Sequence, residues 1–197
     1  MRNITLSKKP RKLRRNGDKM NPAYVYLQIY RLFDKHTPIN ADCGRFCSKA
    51  CCKGDDSGMY LFPGEQSVFK LLNPEWARTD VSDFIYEYKG RKKNTPILFC
   101  GGNCDRYQRP LACRIFPLTP YIDDRGKLKV IIDPRARSVC PLSALPEVSD
   151  FNSSFVKNIK RAFAILSENE EVYAFLNTYS RMIDEYARFF DLTDINR

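Results

Sequence analysis

Several residue types and patterns on which common functions depend are scarce or missing in this sequence. It has one histidine, His36, among 197 residues, and no obvious Cys–His catalytic pair follows from it. We interpret His36 as a residue at the end of a helix rather than as a metal ligand. The sequence also lacks a phosphate-cradling glycine motif, a Ser-His-Asp order and a zinc-protease helix. No substrate class is therefore indicated by a catalytic motif.

Long apolar runs are also missing. The nearest one, residues 23–33, contains Gln28 and Arg31 and is far shorter than the ~20 residues that a membrane-spanning helix needs. The basic N-terminus is not followed directly by the apolar stretch of a signal peptide. The pair Arg14 and Arg15 lacks the apolar stretch of a twin-arginine export signal. We therefore expect a cytoplasmic protein that does not enter a membrane.

Acidic residues are scarce only at the N-terminus. Residues 1–19 hold eight of the 33 basic residues and one of the 23 acidic residues, which leaves 25 against 22 in the remainder. A nearly balanced body is not the basic surface that nucleic acid requires, so we expect nucleic-acid contact only through the tail. Residues 1–20 are expected to be disordered, or an over-extended start with Met20 as the true initiator. The functional alternative is a tether to nucleic acid or an acidic surface.

The periodicity of the chain predicts an α+β fold within one domain. Strands are predicted at 58–62, 83–90 and 95–99, a β-hairpin at 118–133, and helices at 22–36, 63–72, 149–169 and 170–192. Two predicted loops, 40–58 and 100–114, carry the cysteine groups. We expect a small cysteine-rich metal-binding core with a short β-hairpin or sheet, packed by the N-terminal helix and a C-terminal helical hairpin. The corresponding organisation is a tail (1–20), a cysteine-cluster domain (21–145) and the helical hairpin (146–197) on that same domain.

Three of the predicted helices have an apolar face. A helix cap and a pair of turn residues are also predicted. The predicted faces are Tyr26, Ile29, Tyr30 and Phe33; Phe155, Ile159, Ala162, Phe163 and Leu166; and Val172, Phe175, Leu176, Tyr179, Met182, Ile183, Tyr186 and Phe190. Ser149 or Asp150 is expected to cap the first C-terminal helix. Asp123 and Asp124 fall between the two strands of the hairpin, so we interpret them as turn residues rather than a catalytic carboxylate pair.

Cysteine is the residue that the chain has in excess. The eight are Cys43, Cys47, Cys51, Cys52, Cys100, Cys104, Cys113 and Cys140. A chain of this length can bury a core without disulfide staples. In a reducing compartment, so many cysteines indicate metal binding or redox chemistry more often than disulfides. All eight are therefore candidate metal ligands.

Geometry predicts that the two cysteine groups share their sites. A tetrahedral thiolate site needs four sulfurs about 2.3 Å from one metal, and a single loop seldom supplies all four. Adjacent Cys51 and Cys52 are expected to point apart, so they should serve different centres or leave one spare thiol. Arg109 and Arg114 lie beside the second group, and we expect them to offset the negative charge of the centre. An ordinary salt bridge is the alternative for these arginines.

The cysteine spacing leaves the identity of the metal open. It matches neither the zinc-knuckle C-x2-C pair nor the ferredoxin run C-x2-C-x2-C. We expect an iron–sulfur cluster, of the [4Fe–4S] type, and keep zinc as the alternative.

A longer motif surrounds the second cysteine group and carries a family resemblance. It reads C-x-x-Y-x-x-R-P-x-x-C-R-x-F-P, on Cys104, Tyr107, Arg109, Pro110, Cys113, Arg114, Phe116 and Pro117. With CGRFCSKACC at 43–52, it resembles the YkgJ-type cysteine-cluster family, described as zinc- or iron-chelating proteins. The resemblance covers about 43–140 and implies a metal or iron–sulfur centre built from these cysteines. The first group departs from the family's tighter C-x2-C-x2-C-C, because three residues separate its cysteines here.

Three functions follow as hypotheses. The first is an iron–sulfur or iron-binding protein with a redox or modification-supporting role, acting with an unknown protein or redox partner. The second is a zinc protein in which the ions only hold loops together. The third, a protein-modifying enzyme of the methylase type, rests only on a flagellin lysine-methylating member of the resembled family. A disulfide-stapled secreted protein is the least favoured.

Overall fold

A computed structural model describes residues 21–53, 58–101, 104 and 106–192 of the chain. The predicted basic tail and Met20 lie outside these residues. The described helices are α1 (Pro22–Tyr30), α2 (Gln66–Leu72), α3 (Leu111–Ile115), α4 (Ser153–Leu166) and α5 (Glu170–Phe189). The described strands are β1 (Gly58–Tyr60), β2 (Ala77–Tyr88), β3 (Arg91–Cys100), β4 (Leu118–Ile122) and β5 (Leu128–Ile132). The predicted α+β class is confirmed.

The N-terminal helix forms where the sequence predicts it. The Asn21 side chain accepts a hydrogen bond from the Ala23 amide, and Pro22 occupies the first turn, where its missing N–H costs nothing. The predicted apolar face is buried throughout: Tyr26, Ile29, Tyr30 and Phe33. The α-helix ends at Tyr30 and continues as one 3₁₀ turn, Arg31–Phe33, so it is shorter than the predicted 22–36.

The described strands make two antiparallel sheets. One has the order β1-β3-β2, and the other is the hairpin β4–β5. Lys89 and Gly90 join β2 to β3 with φ values of 52° and 69°, as a tight hairpin turn requires. In the second hairpin the Asp123 carboxylate accepts from the amides of Arg125 and Lys127, which confirms its assignment as a turn residue.

The two C-terminal helices pack on the strands. Helix α4 contacts β4 and β5, and α5 contacts β2 and β4. Helix α4 begins later than predicted, because Asn152 rather than Ser149 or Asp150 accepts from the amides of Ser154 and Phe155. The predicted cap residues instead form a 3₁₀ turn, Val148–Asp150.

The core is aromatic where α5 meets the larger sheet. Phe175 packs its ring against Phe62, Phe84 and Tyr86, with centroids 5.4–5.7 Å apart. The predicted face of α4 is fully buried, whereas that of α5 ends early, since Phe190 is 53% exposed and packs on Tyr186. Within the described ranges, no helix has the length and apolar content that crossing a membrane requires.

Candidate metal centre

The first cysteine group lies on a segment with almost no core of its own. Short 3₁₀ turns, Cys43–Arg45 and Ala50–Cys52, carry three of its cysteines. The Asp42 carboxylate caps the first turn by accepting from the Gly44 amide at 3.2 Å. No residue from 41 to 53 is buried. Packing therefore contributes little to holding these thiols in place.

The second cysteine group is attached to the regular elements. Cys100 ends β3 and pairs with Ala77 of β2. The 100–114 segment was predicted as a loop, but its last part is helix α3, and that prediction is wrong there. Leu111 and Ile115 lie one helical turn apart and are buried, which anchors α3 to the core and fixes Cys113 between them. Cys140 follows β5 and precedes the turn Pro141–Ala144.

All eight cysteines line two adjoining cavities. A cavity of about 350 Å³ is lined by seven of them: Cys43, Cys47, Cys51, Cys52, Cys104, Cys113 and Cys140. A second, of about 230 Å³, is lined by Cys51, Cys52, Cys100, Cys104 and Cys113. Four cysteines and Arg109 line both cavities. The structure thus brings together two groups that are 47 residues apart in sequence, and none of the eight cysteines forms a disulfide.

Cys51 and Cys52 do not point apart as expected. Their Sγ atoms are 3.8 Å from each other. The two residues lie in a 3₁₀ turn, where successive side chains can lie closer together than in an extended strand. The contact from Cys51, and then the charges of Arg109 and Lys49, lower the pKa of the Cys52 thiol to about 6. The same contact raises the pKa of Cys51 well above its usual value. The contact between the two sulfurs therefore favours one thiolate within the pair.

Arg109 touches the thiols directly. Its Nε donates to Cys104 Sγ at 3.0 Å. Burial lowers the pKa of Arg109, but the bond to Cys104 and the thiols of Cys52 and Cys113 outweigh it and raise the pKa overall. A guanidinium in this position donates to one sulfur and can offset negative charge on the thiols, and its predicted role beside a metal centre stays a prediction.

Arg114 lies on the wall of the larger cavity, but its hydrogen bonds go to the backbone. It donates to the carbonyl oxygens of Arg109 at 2.8 Å, Tyr107 at 2.5 Å and Tyr30 at 3.3 Å. Its guanidinium stacks 4.2 Å from the centre of the Tyr30 ring and lies 3.5 Å from the Asp34 carboxylate. These contacts brace the segment that holds Arg109, so Arg114 acts as a positioning residue.

Replacing Arg114 by lysine should lower the free energy of unfolding by about 3 kcal/mol. A single ammonium on a narrow stem cannot reach three carbonyls on two segments and stack on Tyr30 as the planar guanidinium does. Urea unfolding measures the change, with the exposed Arg181→Lys as the matched control. Equal stability of the two variants would show that Arg114 does not brace the segment.

Glu65 is a residue near the centre that the sequence did not indicate. Its carboxylate is fully buried and accepts from Tyr30 Oη at 2.5 Å and from the amides of Leu111 at 2.6 Å and Phe62 at 3.0 Å. It thereby links α1 to the start of α3, two residues before Cys113. Burial raises the pKa of Glu65 to about 6, against the lowering effect of those hydrogen bonds. In the sequence, a glutamate after Pro63 and Gly64 indicates only the start of a helix. No sequence signal therefore identified the link that Glu65 makes between α1 and α3.

His36 lies three residues beyond the 3₁₀ turn that follows α1, and its amide donates to the Phe33 carbonyl at 3.3 Å. The predicted position at the end of a helix is therefore wrong by three residues, because the helix ends earlier than expected. His36 also lines the larger cavity, as does the first cysteine group. The sequence did not indicate this proximity to the thiols.

The cysteine thiols suit a thiophilic metal, although their sulfur atoms are not arranged around a single point. Thiolates select zinc, copper(I) and iron–sulfur clusters, and nearby guanidinium and amide donors stabilise them. Within the part of the chain that the structure describes, no three His, Cys, Asp or Glu side chains form a group that could hold a metal ion. Metal ligation would therefore require the thiols to come closer together than they lie in this arrangement.

Comparison with known proteins adds no further identification. No family model, no curated protein and no solved structure matches the chain. The motif resemblance to the YkgJ-type family accordingly stays a prediction.

Proposed function

We propose that this protein binds an iron–sulfur cluster through its cysteines and serves a redox or modification-supporting role in the cytoplasm. The observation that carries the proposal is the convergence of all eight cysteines, none of them in a disulfide, on two adjoining cavities. Structural cysteines are scattered through a core as small apolar residues. Here, eight cysteines from two groups that are distant in sequence line the same half-exposed cavities. This arrangement indicates that they bind a shared ligand.

The size of the larger cavity favours a cluster over a single ion. About 350 Å³ is more than ten times the space that one water molecule needs. An inorganic cluster of several metal and sulfide atoms fits within that volume. The hydrogen bond from Arg109 to Cys104 is of the kind that tunes a cluster's reduction potential. When bound, such a cluster would supply one-electron transfer.

Zinc is the second candidate, and one distance favours it. Four sulfurs placed tetrahedrally at about 2.3 Å from zinc lie about 3.8 Å from each other. The Sγ atoms of Cys51 and Cys52 are 3.8 Å apart. With zinc the centre would hold the cysteine segments together and the protein would act through partner binding.

Anaerobic purification, followed by a visible spectrum and metal and sulfide analysis of the same sample, tests the proposal. We expect a brown protein that absorbs near ~400 nm and contains iron and acid-labile sulfide. Cys113→Ser should lower the metal content, and Ser154→Ala, on the exposed start of α4, should not. A colourless protein containing zinc would establish the second candidate. A protein without metal, before and after reconstitution with iron and sulfide or with zinc, would refute both.

A further inference from the structure

We infer that Cys51 and Cys52 form a redox-reactive dithiol, which a peroxide converts reversibly into a disulfide between adjacent residues. The disulfide itself does not require a bound metal. Its consequence, release of metal from the cysteine-lined cavities, rests on the proposed function. The pair thereby makes metal binding sensitive to oxidants.

The two sulfur atoms already lie close together. The Sγ atoms of Cys51 and Cys52 are 3.8 Å apart, on the 3₁₀ turn Ala50–Cys52. A disulfide needs about 2.05 Å between its sulfurs, so rotation of the two side chains has to shorten the distance by about 1.8 Å. Because one peptide bond holds the two residues together, forming the bond costs little of the loop entropy that distant cysteines lose when they pair.

The chain around the pair can adjust when the bond forms. No residue from 41 to 53 is buried, so a small shift of the turn disrupts no core packing. Cys113 differs, since it is fixed on helix α3 between the buried Leu111 and Ile115. A new sulfur–sulfur bond within the adjacent pair therefore requires little change in the rest of the structure.

An oxidant in solution can reach the pair. Cys51 is exposed, Cys52 is half-buried, and both line the two adjoining cavities. Hydrogen peroxide is scarcely larger than water, and the larger cavity of about 350 Å³ admits it. The oxidant therefore has access to both sulfurs from the cavity as well as to Cys51 from the surface.

The reaction balances with hydrogen peroxide as the oxidant. One sulfur of the pair, as its thiolate, attacks a peroxide oxygen, the O–O bond breaks, and a sulfenic acid and hydroxide form. The second sulfur then attacks the sulfenic sulfur, the S–O bond breaks, and hydroxide leaves. The two hydroxide ions take up the two thiol protons. Two thiols and one peroxide thus give one disulfide and two water molecules.

A disulfide between adjacent cysteines is easily reduced. The Cα atoms of neighbouring residues are about 3.8 Å apart, whereas disulfides usually join Cα atoms about 4.4–6.8 Å apart. The bond is therefore strained, and strained or exposed disulfides have the more oxidising potentials of labile and regulatory bonds. Two glutathione molecules return it to the dithiol and leave as glutathione disulfide. The modification is thus reversible.

Oxidation of the pair removes two thiolates from the cysteine-lined cavities. Cys51 and Cys52 are two of the four cysteines that line both cavities, together with Cys104 and Cys113. The thiolate is the form of cysteine that binds a metal, and a sulfur in a disulfide is no longer a thiolate. If the cysteines hold metal as proposed, the oxidised protein should bind less of it, and a thiol reductant should restore binding.

Peptide mass spectrometry of the metal-free, full-length protein tests the disulfide. The reduced protein is treated with limiting hydrogen peroxide, its remaining thiols are blocked with iodoacetamide, and it is digested with trypsin. Cleavage after Lys49 and Lys53 isolates the four-residue peptide 50–53, whose only cysteines are Cys51 and Cys52. We expect this peptide to lose two hydrogen atoms and to carry no alkyl group, while the other six cysteines are alkylated. Glutathione should return it to the dithiol.

Single substitutions in the full chain provide the controls. Cys51→Ser or Cys52→Ser should abolish the disulfide and leave a sulfenic acid that dimedone traps on the remaining cysteine. Cys43→Ser removes a thiol from the same segment but not from the pair, and should leave the disulfide unchanged. A dithiol in peptide 50–53, with disulfides formed elsewhere or sulfinic acid formed instead, would overturn the inference. The wild-type result does not depend on the folding of any variant.

Zinc binding by the reduced and by the peroxide-treated wild-type protein tests the consequence for metal, because zinc has no redox chemistry of its own. We expect the oxidised protein to bind less zinc, and dithiothreitol to restore the amount that the reduced protein binds. Equal zinc binding by the two forms would overturn the coupling to metal while the disulfide stands. Failure of the reduced protein to bind either zinc or a reconstituted iron–sulfur cluster would instead overturn the proposed function.

Discussion

If the cysteines bind metal as proposed, removing the metal from the loaded protein should release the cysteine segment 41–53 while the helices and sheets stay folded. The segment has no buried residue and is held by 3₁₀ turns and one capping carboxylate. Structural zinc sites contribute about 10 kcal/mol or more of apparent binding free energy to the parts that they hold. The core contains fully buried residues such as Phe155, Phe163 and Leu176, which do not depend on the thiols.

Hydrogen exchange measured by mass spectrometry on metal-loaded and chelated protein would check this expectation. Amides of 43–53 should lose protection by at least about 100-fold, which corresponds to about 2.8 kcal/mol of local stability. A peptide from α5 that includes Leu176 serves as the internal control and should change little. Equal protection of 43–53 in both samples would show that metal does not hold the segment. Loss of protection in α5 would show that the whole fold depends on metal.

The helices and hairpins could be predicted because their signals are local. The apolar residues of α1, α4 and α5 recur every three or four positions, and Asp123 stands where a hairpin turns. The sequence prediction misplaced the cap of α4 because Ser149, Asp150 and Asn152 are all good capping residues. Only the backbone geometry of the folded chain shows that Asn152 is the cap. Helix α3 was missed because five residues are too few to show a period.

The chemistry of thiolate ligation predicts that the two cysteine groups lie close together. Which residues surround each thiol could be seen only in the folded chain. A single loop seldom supplies four thiolates, so two groups had to combine. The chain between them contributes β2 and β3, and their pairing places Cys100 at the end of β3, where it lines the smaller cavity. The bracing by Arg114 depends on carbonyls of residues 30, 107 and 109, which only the folded chain brings together.

Replacing Glu65 by alanine should lower the free energy of unfolding at pH 7 by about 4 kcal/mol. The substitution leaves three buried donors without an acceptor, on Tyr30, Phe62 and Leu111. Because Leu111 opens the helix that carries Cys113, metal affinity should fall as well. Urea unfolding and metal titration measure the two effects, with the exposed Glu185→Ala as the control. A loss no larger than that of the control would contradict the linking role of the carboxylate.

Glu65→Gln separates the charge of this residue from its shape. The pKa of Glu65 is about 6 in the folded protein and about 4.3 when unfolded, so the folded state binds the proton more tightly. Its contribution to stability is therefore greatest in acid and falls by about 2 kcal/mol as the pH rises from about 4 to about 6.5. Glutamine does not titrate, so the stability of wild type relative to Glu65→Gln should grow by that amount between pH 7 and pH 4. Both proteins are measured after chelation, so that metal loss in acid does not enter the difference. Parallel stability curves would show that the buried carboxylate does not titrate in this range.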